Sequence, residues 1–536
     1  MAFVTDPALR LGLPGYTYGD NAAPSRPQAR HLAWADRPGF ALGIASLMIA
    51  ALVAAIAGGK PAVFLFVGVF VFAVLGLALS RPAAALIVYF AYAAMEGFFK
   101  YGTDFNKGVY AVKPLLIVLL FAAWMISRHK AGLRRRFTQP AFLGALALFV
   151  GWGLLQVLNP MGGGLVGGLL TLFLWYVSPL AFYLLSTDLF ETPDQAQRFC
   201  YALAAIGTVV AAFAVFQYAM GEGWTMAHVP GYDNTLRRAW FNQDQFGTVT
   251  ATSWRPASTG PSSGAGAGWA ALAVLASVTL MLARGVSTVR KAILIPCLLI
   301  GTLGILVSGV RLVAVITLLQ IVLLLPLSAR APRDAARIAV LLLVGIISTS
   351  LAITAAQSLS GGILFQRYAD TFKNPVGRFV RDRGGNFAFF PEFIAEHPLG
   401  IGFQRGLAGG NEIETQIAAK GTNRETQFNS LASDMGLPGV LLLFGVVIAL
   451  LARCGRTLLR VRDPDLRPVA AFCWVVLAGY FIATFGGPVF QGGDLFWLCA
   501  ALLLALPRIA DKARFSATTE GIPSPIRSRH EGPRAL

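Results

Sequence analysis

The apolar residues of this 536-residue chain are gathered into blocks of about twenty rather than spaced along amphipathic helices. Stretches such as LIVLLFAAW and VLLLFGVVIALL are apolar on every face, as a helix surrounded by lipid must be. A membrane β-barrel would instead show short alternating segments of about ten residues. The sequence therefore predicts an all-α polytopic membrane protein.

We predict fourteen transmembrane helices with the N-terminus inside. They are placed at about 39–58, 61–80, 82–99, 112–127, 140–158, 164–186, 199–220, 265–284, 292–309, 311–328, 338–357, 436–453, 468–486 and 493–508. Residues 1–38 form a cytoplasmic N-terminal tail, 39–508 the membrane domain, and 509–536, rich in Ser, Pro and Arg, a disordered cytoplasmic tail.

The basic residues support this topology, because several of the short loops that it places inside are rich in Lys and Arg. These are Arg128, Lys130, Arg134, Arg135 and Arg136, then Arg284, Arg290 and Lys291, then Arg330, Arg333 and Arg337, then Arg453, Arg456, Arg460, Arg462 and Arg467. We therefore interpret the net charge of +18 as topological rather than as a sign of nucleic-acid binding. Lys100, Lys107 and Lys113 fall outside, which is unfavourable for topology but reasonable if that surface attracts an anion.

Three outer segments follow, at about 100–111, 221–264 and 358–435. The last, between the eleventh and twelfth spans, is a large extracytoplasmic loop with eight basic and eight acidic residues. Within it, NFAFFPEFIAEH is predicted to form a short helix with Phe387, Phe390 and Ile394 on one side, suited to the membrane interface.

Glu425 is the candidate general base, because it opens the segment that leads into the span at 436. The structural alternative is a solvated carboxylate at a helix start.

Guanidinium groups suit bidentate capture of phosphate oxygens, so converging outer arginines are candidates to hold a pyrophosphate. A single interfacial arginine can equally anchor a helix to lipid headgroups. The candidates are Arg255, Arg311, Arg378, Arg383 and Arg405, with Arg424 as a further candidate.

Arg311 lies between two apolar runs in LVSGVRLVAV, and a charge placed this deep is functional by default unless its side chain snorkels. Glu96 and Lys100 are further candidates, although an i,i+4 ion pair between them would be purely structural. His397 precedes Pro398 and fits a turn better than a ligand position.

Nothing in the sequence indicates a metal or a cofactor. The five histidines are scattered, and there is no P-loop, no GxGxxG after a strand and no DxD cluster in an outer loop. An enzyme here would draw its energy from an already activated lipid-linked donor.

Several short motifs occur in a defined order. They are Glu96-Gly97 with Lys100, Arg255-Pro-Ala-Ser-Thr-Gly260, Ser308-Gly-Val-Arg311, Arg383 ahead of His397-Pro-Leu-Gly-Ile-Gly402, and Gly436-Leu-Pro-Gly439 at the start of a span. In this order the chain resembles, over about 90 to 508, the superfamily of O-antigen ligases and O-antigen or exopolysaccharide polymerases. Its members are membrane glycosyltransferases of the C type that act on polyprenyl-pyrophosphate-linked sugars.

The chain departs from the ligases at one position. Ligases carry a histidine followed by Asn, Ser or Gln eleven residues before the closing Gly-x-x-Gly, where this chain has Glu425 and Thr426. The resemblance therefore implies a metal-independent, inverting polymerase without cofactor. It would join polyprenyl-pyrophosphate-linked repeat units at the outer face of a bacterial inner membrane, with Glu425 as base and the arginines on the pyrophosphate. Membrane lipid, a chain-length regulator and a flippase would be its partners.

Two alternatives stay open. One is an O-antigen ligase that transfers a finished glycan to lipid A core or to a protein. The other is a small-anion transporter, which the clustering of ionic residues on the outer side disfavours, because transporters place polar residues near the bilayer midplane.

Overall fold

The computed structural model describes residues 39–103, 106–130, 140–232, 255–260, 262–329, 332–360, 368–369, 373, 375–403, 426–490 and 493–520. These residues form helices and no strand. The helices are α1 (Gly39–Ala78), α2 (Pro82–Gly102), α3 (Lys107–Lys130), α4 (Pro140–Val157), α5 (Leu165–Leu172), α6 (Ser178–Leu189), α7 (Pro193–His228), α8 (Ser263–Leu282), α9 (Thr288–Val307), α10 (Arg311–Ser328), α11 (Pro332–Ser360), α12 (Pro375–Glu396), α13 (Gln427–Arg460), α14 (Leu466–Ala483) and α15 (Asp494–Glu520). A π-helical turn, Phe173–Val177, joins α5 to α6.

Within the described residues, ten helices are long and apolar enough to cross a membrane, and two shorter apolar helices lie in α3 and α4. The prediction of an all-α polytopic membrane protein is thereby confirmed. The count of fourteen and the large outer loop stay predictions.

The longest helix, α1, is interrupted in its middle. A straight helix of 40 residues would be about 60 Å long, twice the roughly 30 Å of a bilayer core. Gly59 has φ 63° and ψ −151°, far from helical values, and Pro61 follows it. The break falls between the predicted spans 39–58 and 61–80. Helices α7 and α13 have similar breaks at Gly221 and Gly436, beside predicted span ends.

Small residues let the central helices approach closely. Helices α7, α8 and α9 pack against one another, and a Cβ on Gly207 of α7 would overlap the carbonyl oxygen of Trp269 in α8. A Cβ on Gly304 of α9 would lie 2.9 Å from the Ala211 Cα. Membrane helices depend on such close packing because lipid provides little hydrophobic driving force between them. By contrast, α11 exposes Val340, Leu343, Ile346 and Ile347, as expected for a surface covered by lipid.

The predicted helix in the segment 358–435 is part of α12, and its apolar side contacts protein. The Phe390 ring lies 6.3 Å from that of Phe428, and the Phe387 ring 6.2 Å from that of Phe485. These ring contacts with α13 and with the chain after α14 pack α12 against the bundle.

The final helix continues beyond residue 508, where the sequence predicts the start of a disordered tail. Helix α15 runs to Glu520, and Lys512 Nζ lies 3.2 Å from Glu191 Oε2. The N-terminal tail 1–38 lies outside the described residues.

Candidate functional site

The segment Arg255–Gly260 is hydrogen-bonded to the part of α2 that carries Glu96. The Phe98 amide donates to the Thr259 carbonyl at 2.9 Å, and the Thr259 hydroxyl donates to the Ala94 carbonyl at 2.7 Å. Residues 94 and 98 are one helical turn apart and lie on either side of Glu96. Two of the motifs found in the sequence are therefore in direct contact.

Ser258 gives this segment its shape. Its φ of 57° makes it the one non-glycine residue with a positive φ among those described, a conformation that costs about 1–3 kcal/mol. Its amide donates to Gln217 Oε1 at 2.9 Å, its carbonyl accepts from the Tyr232 hydroxyl at 2.7 Å, and its hydroxyl donates to the Val210 carbonyl at 2.5 Å. These three bonds from buried groups hold the strained backbone in place.

Arg255 lies against the turn that precedes Arg311. Gly309, with φ 63°, forms this turn between α9 and α10, and a Cβ added there would lie 3.7 Å from Arg255 Cγ and 3.8 Å from its Nε. Arg311 is the first residue of α10, and both arginines are half-buried. Two arginines predicted to hold a pyrophosphate thus belong to neighbouring segments of the structure.

Five side chains of α2, α3 and α15 form a continuous chain of hydrogen bonds and ion pairs. The Tyr89 hydroxyl donates to Asp494 Oδ2 at 2.5 Å, and Lys113 Nζ lies 3.1 Å from the same oxygen. Lys113 Nζ also lies 3.6 Å from Glu96 Oε2, and Lys100 Nζ lies 2.6 Å from Glu96 Oε1. The predicted i,i+4 pair of Glu96 and Lys100 is present, and it is part of a larger network that joins α2, α3 and α15.

The motif that contains His397 is docked onto the break in α13. Gly400 has φ +80°, Gly436 has φ +65°, and a Cβ on Gly400 would lie 2.5 Å from the Gly436 nitrogen. The Leu437 amide donates to the Pro398 carbonyl, and the Ile401 amide donates to the Ser433 carbonyl, both at 2.9 Å. His397 forms part of this turn, because its amide donates to the Phe393 carbonyl at 2.8 Å.

Buried polar residues occupy the first turns of α13, immediately after the predicted base. Thr426 caps the helix, because its hydroxyl accepts from the Asn429 amide at 3.2 Å. The Gln427 amide donates to the Thr484 carbonyl at 3.0 Å, and Gln427 Oε1 accepts from the Phe490 amide at 2.8 Å. Further along, Asp434 Oδ2 accepts from the Tyr176 hydroxyl at 2.8 Å.

The connection between α14 and α15 joins these parts of the site. It contacts Gln427 through Thr484 and Phe490, and a Cβ on Gly486 would overlap Leu312, the neighbour of Arg311. It then leads into Asp494, which pairs with Lys113. The start of α13, the start of α10 and the ionic network are thus linked through one short segment.

The predicted site residues divide into three groups. Arg255, Arg311, Glu96, Lys100 and His397 are described as above. Arg378 and Arg383 lie in α12, but the structure describes only their backbone. Glu425, Arg424 and Arg405 lie outside the described residues altogether.

Sequence reasoning missed Asp494, Tyr89, Tyr176 and Asp434, and considered Lys113 only as a loop charge. Asp434 and Asp494 could have been found from the sequence, because each is a carboxylate at the start of an apolar segment. The residues that the structure describes contain no group of three or more His, Cys, Asp or Glu side chains placed to hold a metal ion. The expected independence of metal stays a prediction.

The chain matches no protein-family model and no curated protein.

Proposed function

We propose that this polytopic membrane protein is a metal-independent polymerase that joins polyprenyl-pyrophosphate-linked oligosaccharide repeat units. In the proposed fourteen-span topology, the site faces the outer side of a bacterial inner membrane. Arg255, Arg311 and Arg383 hold the pyrophosphate of one lipid-linked chain, and Arg378 and Arg405 are further candidates for the same role. Glu425 takes the proton from a sugar hydroxyl of the incoming unit.

The reaction balances without a cofactor. The hydroxyl oxygen forms a bond to the anomeric carbon from one face, while the bond from that carbon to the pyrophosphate oxygen breaks on the other. The configuration inverts, and polyprenyl pyrophosphate leaves with both electrons of the broken bond. Guanidinium groups stabilise the charge that develops on the leaving oxygens.

The observation that carries the proposal is the seating of Arg255 against Gly309, two residues before Arg311. Residues 255 and 311 belong to separate motifs, and the proposed polymerase needs both of their side chains to bind the same pyrophosphate. Two guanidinium groups on adjacent segments can hold a pyrophosphate, which has more oxygens than one arginine can contact.

The contacts at the start of α13 support a base close to these arginines. Residue 426 caps α13, and Gln427 contacts the α14–α15 connection, which in turn contacts Leu312 beside Arg311. Residue 425 adjoins this capped helix start.

Transfer between purified lipid-linked oligosaccharides in detergent, without metal or nucleotide, tests the proposal. We expect the wild type to form polymer and Glu425→Gln to lose about 10²–10⁴-fold in rate. Arg255→Lys and Arg311→Lys should also lose much of the rate, because lysine keeps the charge but cannot make a bidentate contact. A requirement for a nucleotide sugar or a divalent metal would refute it. Transfer to lipid A core in place of a second repeat unit would identify a ligase.

A small-anion transporter is the second candidate, favoured by the ionic network among helices α2, α3 and α15, because ionisable residues between spans often mark transport pathways. Anion uptake into proteoliposomes separates the two functions. Uptake that Asp494→Asn abolishes, in protein with no transferase activity, would favour the transporter.

A further inference from the structure

Two ammonium groups converge on one carboxylate at the partly exposed end of the ionic network. Lys100 Nζ lies 2.6 Å from Glu96 Oε1, and Lys113 Nζ lies 3.6 Å from Glu96 Oε2. The lysines come from different helices, α2 and α3, and therefore approach the carboxylate separately. An oxyanion held between two cations is also the arrangement that binds phosphate groups.

The two carboxylates of the network differ in how exposed they are. Asp494 is only 5% exposed, accepts the Tyr89 hydroxyl at 2.5 Å and pairs with Lys113. Glu96 is 14% exposed, and the side chains of Lys100 and Lys113 are 17% and 20% exposed. The Glu96 end is therefore the more exposed end of the network, and Glu96 is the carboxylate that an external anion would meet first.

We propose that Glu96 is an internal anion occupying a pyrophosphate-binding site formed by Lys100 and Lys113. The oxygens of an incoming pyrophosphate take the place of the Glu96 carboxylate between the two ammonium groups, while Asp494 keeps Lys113 in position. No covalent step is involved. The inference rests on the proposed function only for the identity of the ligand.

This arrangement selects for highly charged anions. A monovalent anion gains no more from the two lysines than Glu96 already does, so it does not displace the carboxylate. A pyrophosphate has several negative charges and can contact both ammonium groups at once. The hydrogen bonds of Thr259 to residues 94 and 98 hold the turn that carries Glu96, so the exchange needs only a side-chain rotation.

Removing the internal anion should strengthen binding, which is the opposite of what a structural salt bridge or a catalytic carboxylate predicts. The probe is inorganic pyrophosphate, titrated calorimetrically into the full-length protein in detergent at low salt. We expect Glu96→Gln to bind at least about tenfold more tightly than the wild type, because the competing charge is gone. Lys100→Gln and Lys113→Gln should each weaken binding by about tenfold.

The matched control is Glu191→Gln. Glu191 also pairs with a lysine, Lys512, at 3.2 Å, but Lys512 lies about 27 Å further along α15 than Asp494. This control should leave pyrophosphate affinity unchanged. Folded Glu96→Gln protein with unchanged or weaker affinity would overturn the proposal.

If Glu96→Gln does not fold, Glu96→Asp provides the test. It keeps the charge but is one methylene shorter and cannot contact both ammonium groups, so pyrophosphate should bind several-fold more tightly. Affinity equal to that of the wild type would overturn the proposal.

Farnesyl pyrophosphate, used as a second ligand, distinguishes a lipid-linked pyrophosphate from a free one. Tighter binding of farnesyl pyrophosphate than of inorganic pyrophosphate supports a lipid-linked ligand, and equal binding supports a free one. Pyrophosphate binding is measured without sugar transfer, so a result can contradict the Glu96 inference without contradicting the proposed polymerase function, and the reverse. An active polymerase whose Glu96→Gln variant loses affinity contradicts only this inference, and pyrophosphate binding without transfer contradicts only the proposed function.

Discussion

The phenol of Tyr176 donates a 2.8 Å hydrogen bond to Asp434 Oδ2, and so joins the π-helical turn before α6 to the polar start of α13. Asp434 is fully buried, two residues before the break at Gly436. A buried carboxylate is tolerated only when hydrogen bonds compensate its lost hydration. This contact therefore stabilises the polar first turns of α13.

Tyr176→Phe tests that contact. We expect the free energy of unfolding, measured by denaturing-detergent titration, to fall by about 1–3 kcal/mol, because a buried acceptor loses its donor. Tyr92→Phe is the control, since the Tyr92 hydroxyl makes only a 3.4 Å bond to the Val109 carbonyl. Equal effects of the two changes would contradict this account.

Gly436→Ala should be among the most damaging single changes in α13. A Cβ there would overlap Leu399 and lie 2.5 Å from the Pro398 carbonyl oxygen, and the φ of +65° disfavours alanine in any case. We expect a loss of about 2–4 kcal/mol in the free energy of unfolding. Gly445→Ala in the same helix meets no atom within 4 Å and should change stability little.

Thr259→Val removes the hydroxyl bond to Ala94 while keeping the shape of the side chain. We expect a loss of about 1 kcal/mol in stability and weaker pyrophosphate binding, because the turn that carries Glu96 loses a support. Thr302→Val is the matched control, since the Thr302 hydroxyl bonds to the Leu298 carbonyl within its own helix. Calorimetry and unfolding of the same samples separate the two effects, and full pyrophosphate affinity in the Thr259 variant would contradict the link to Glu96.

Arg467 joins the C-terminal ends of α10 and α13, the opposite ends of these helices from the candidate site. Its Nε donates to the Leu327 carbonyl at 2.7 Å, and one terminal nitrogen donates to the carbonyls of Leu458 and Val461. A lysine cannot make this set of contacts, so Arg467→Lys should lower the unfolding free energy by about 2 kcal/mol. Arg460→Lys on the exposed face of α13 should have almost no effect, and pyrophosphate affinity should be unchanged in both.

Topology can be tested with exposed positions at the two ends of the bundle. After Cys297 is replaced, the remaining cysteines are buried. Asn106→Cys in the α2–α3 connection should then react with an impermeant thiol reagent in intact spheroplasts, and Lys512→Cys should react only after lysis. The reverse pattern would invert the proposed orientation.

The positions of the apolar helices could be predicted from sequence because lipid imposes length and composition on each one separately. The motifs at Arg255, Arg311 and His397 could also be found, since each is local. The pairing of Lys113 with Asp494 could not, because it joins residues 381 positions apart and neither belongs to a recognisable motif. The contact of Gly400 with Gly436 also depends on how α12 and α13 fold back on each other, and local spacing does not specify this.

The conformation of Ser258 has a consequence for how the membrane protein matures. Its backbone geometry is maintained by groups at residues 210, 217 and 232, and the adjacent Thr259 bonds to residue 94. A chain in which α2 or α7 has not yet inserted lacks those groups, so Arg255 is not fixed beside the α9–α10 turn until both helices are in the bilayer. The segment Arg255–Gly260 can therefore reach its described conformation only after both α2 and α7 are in place.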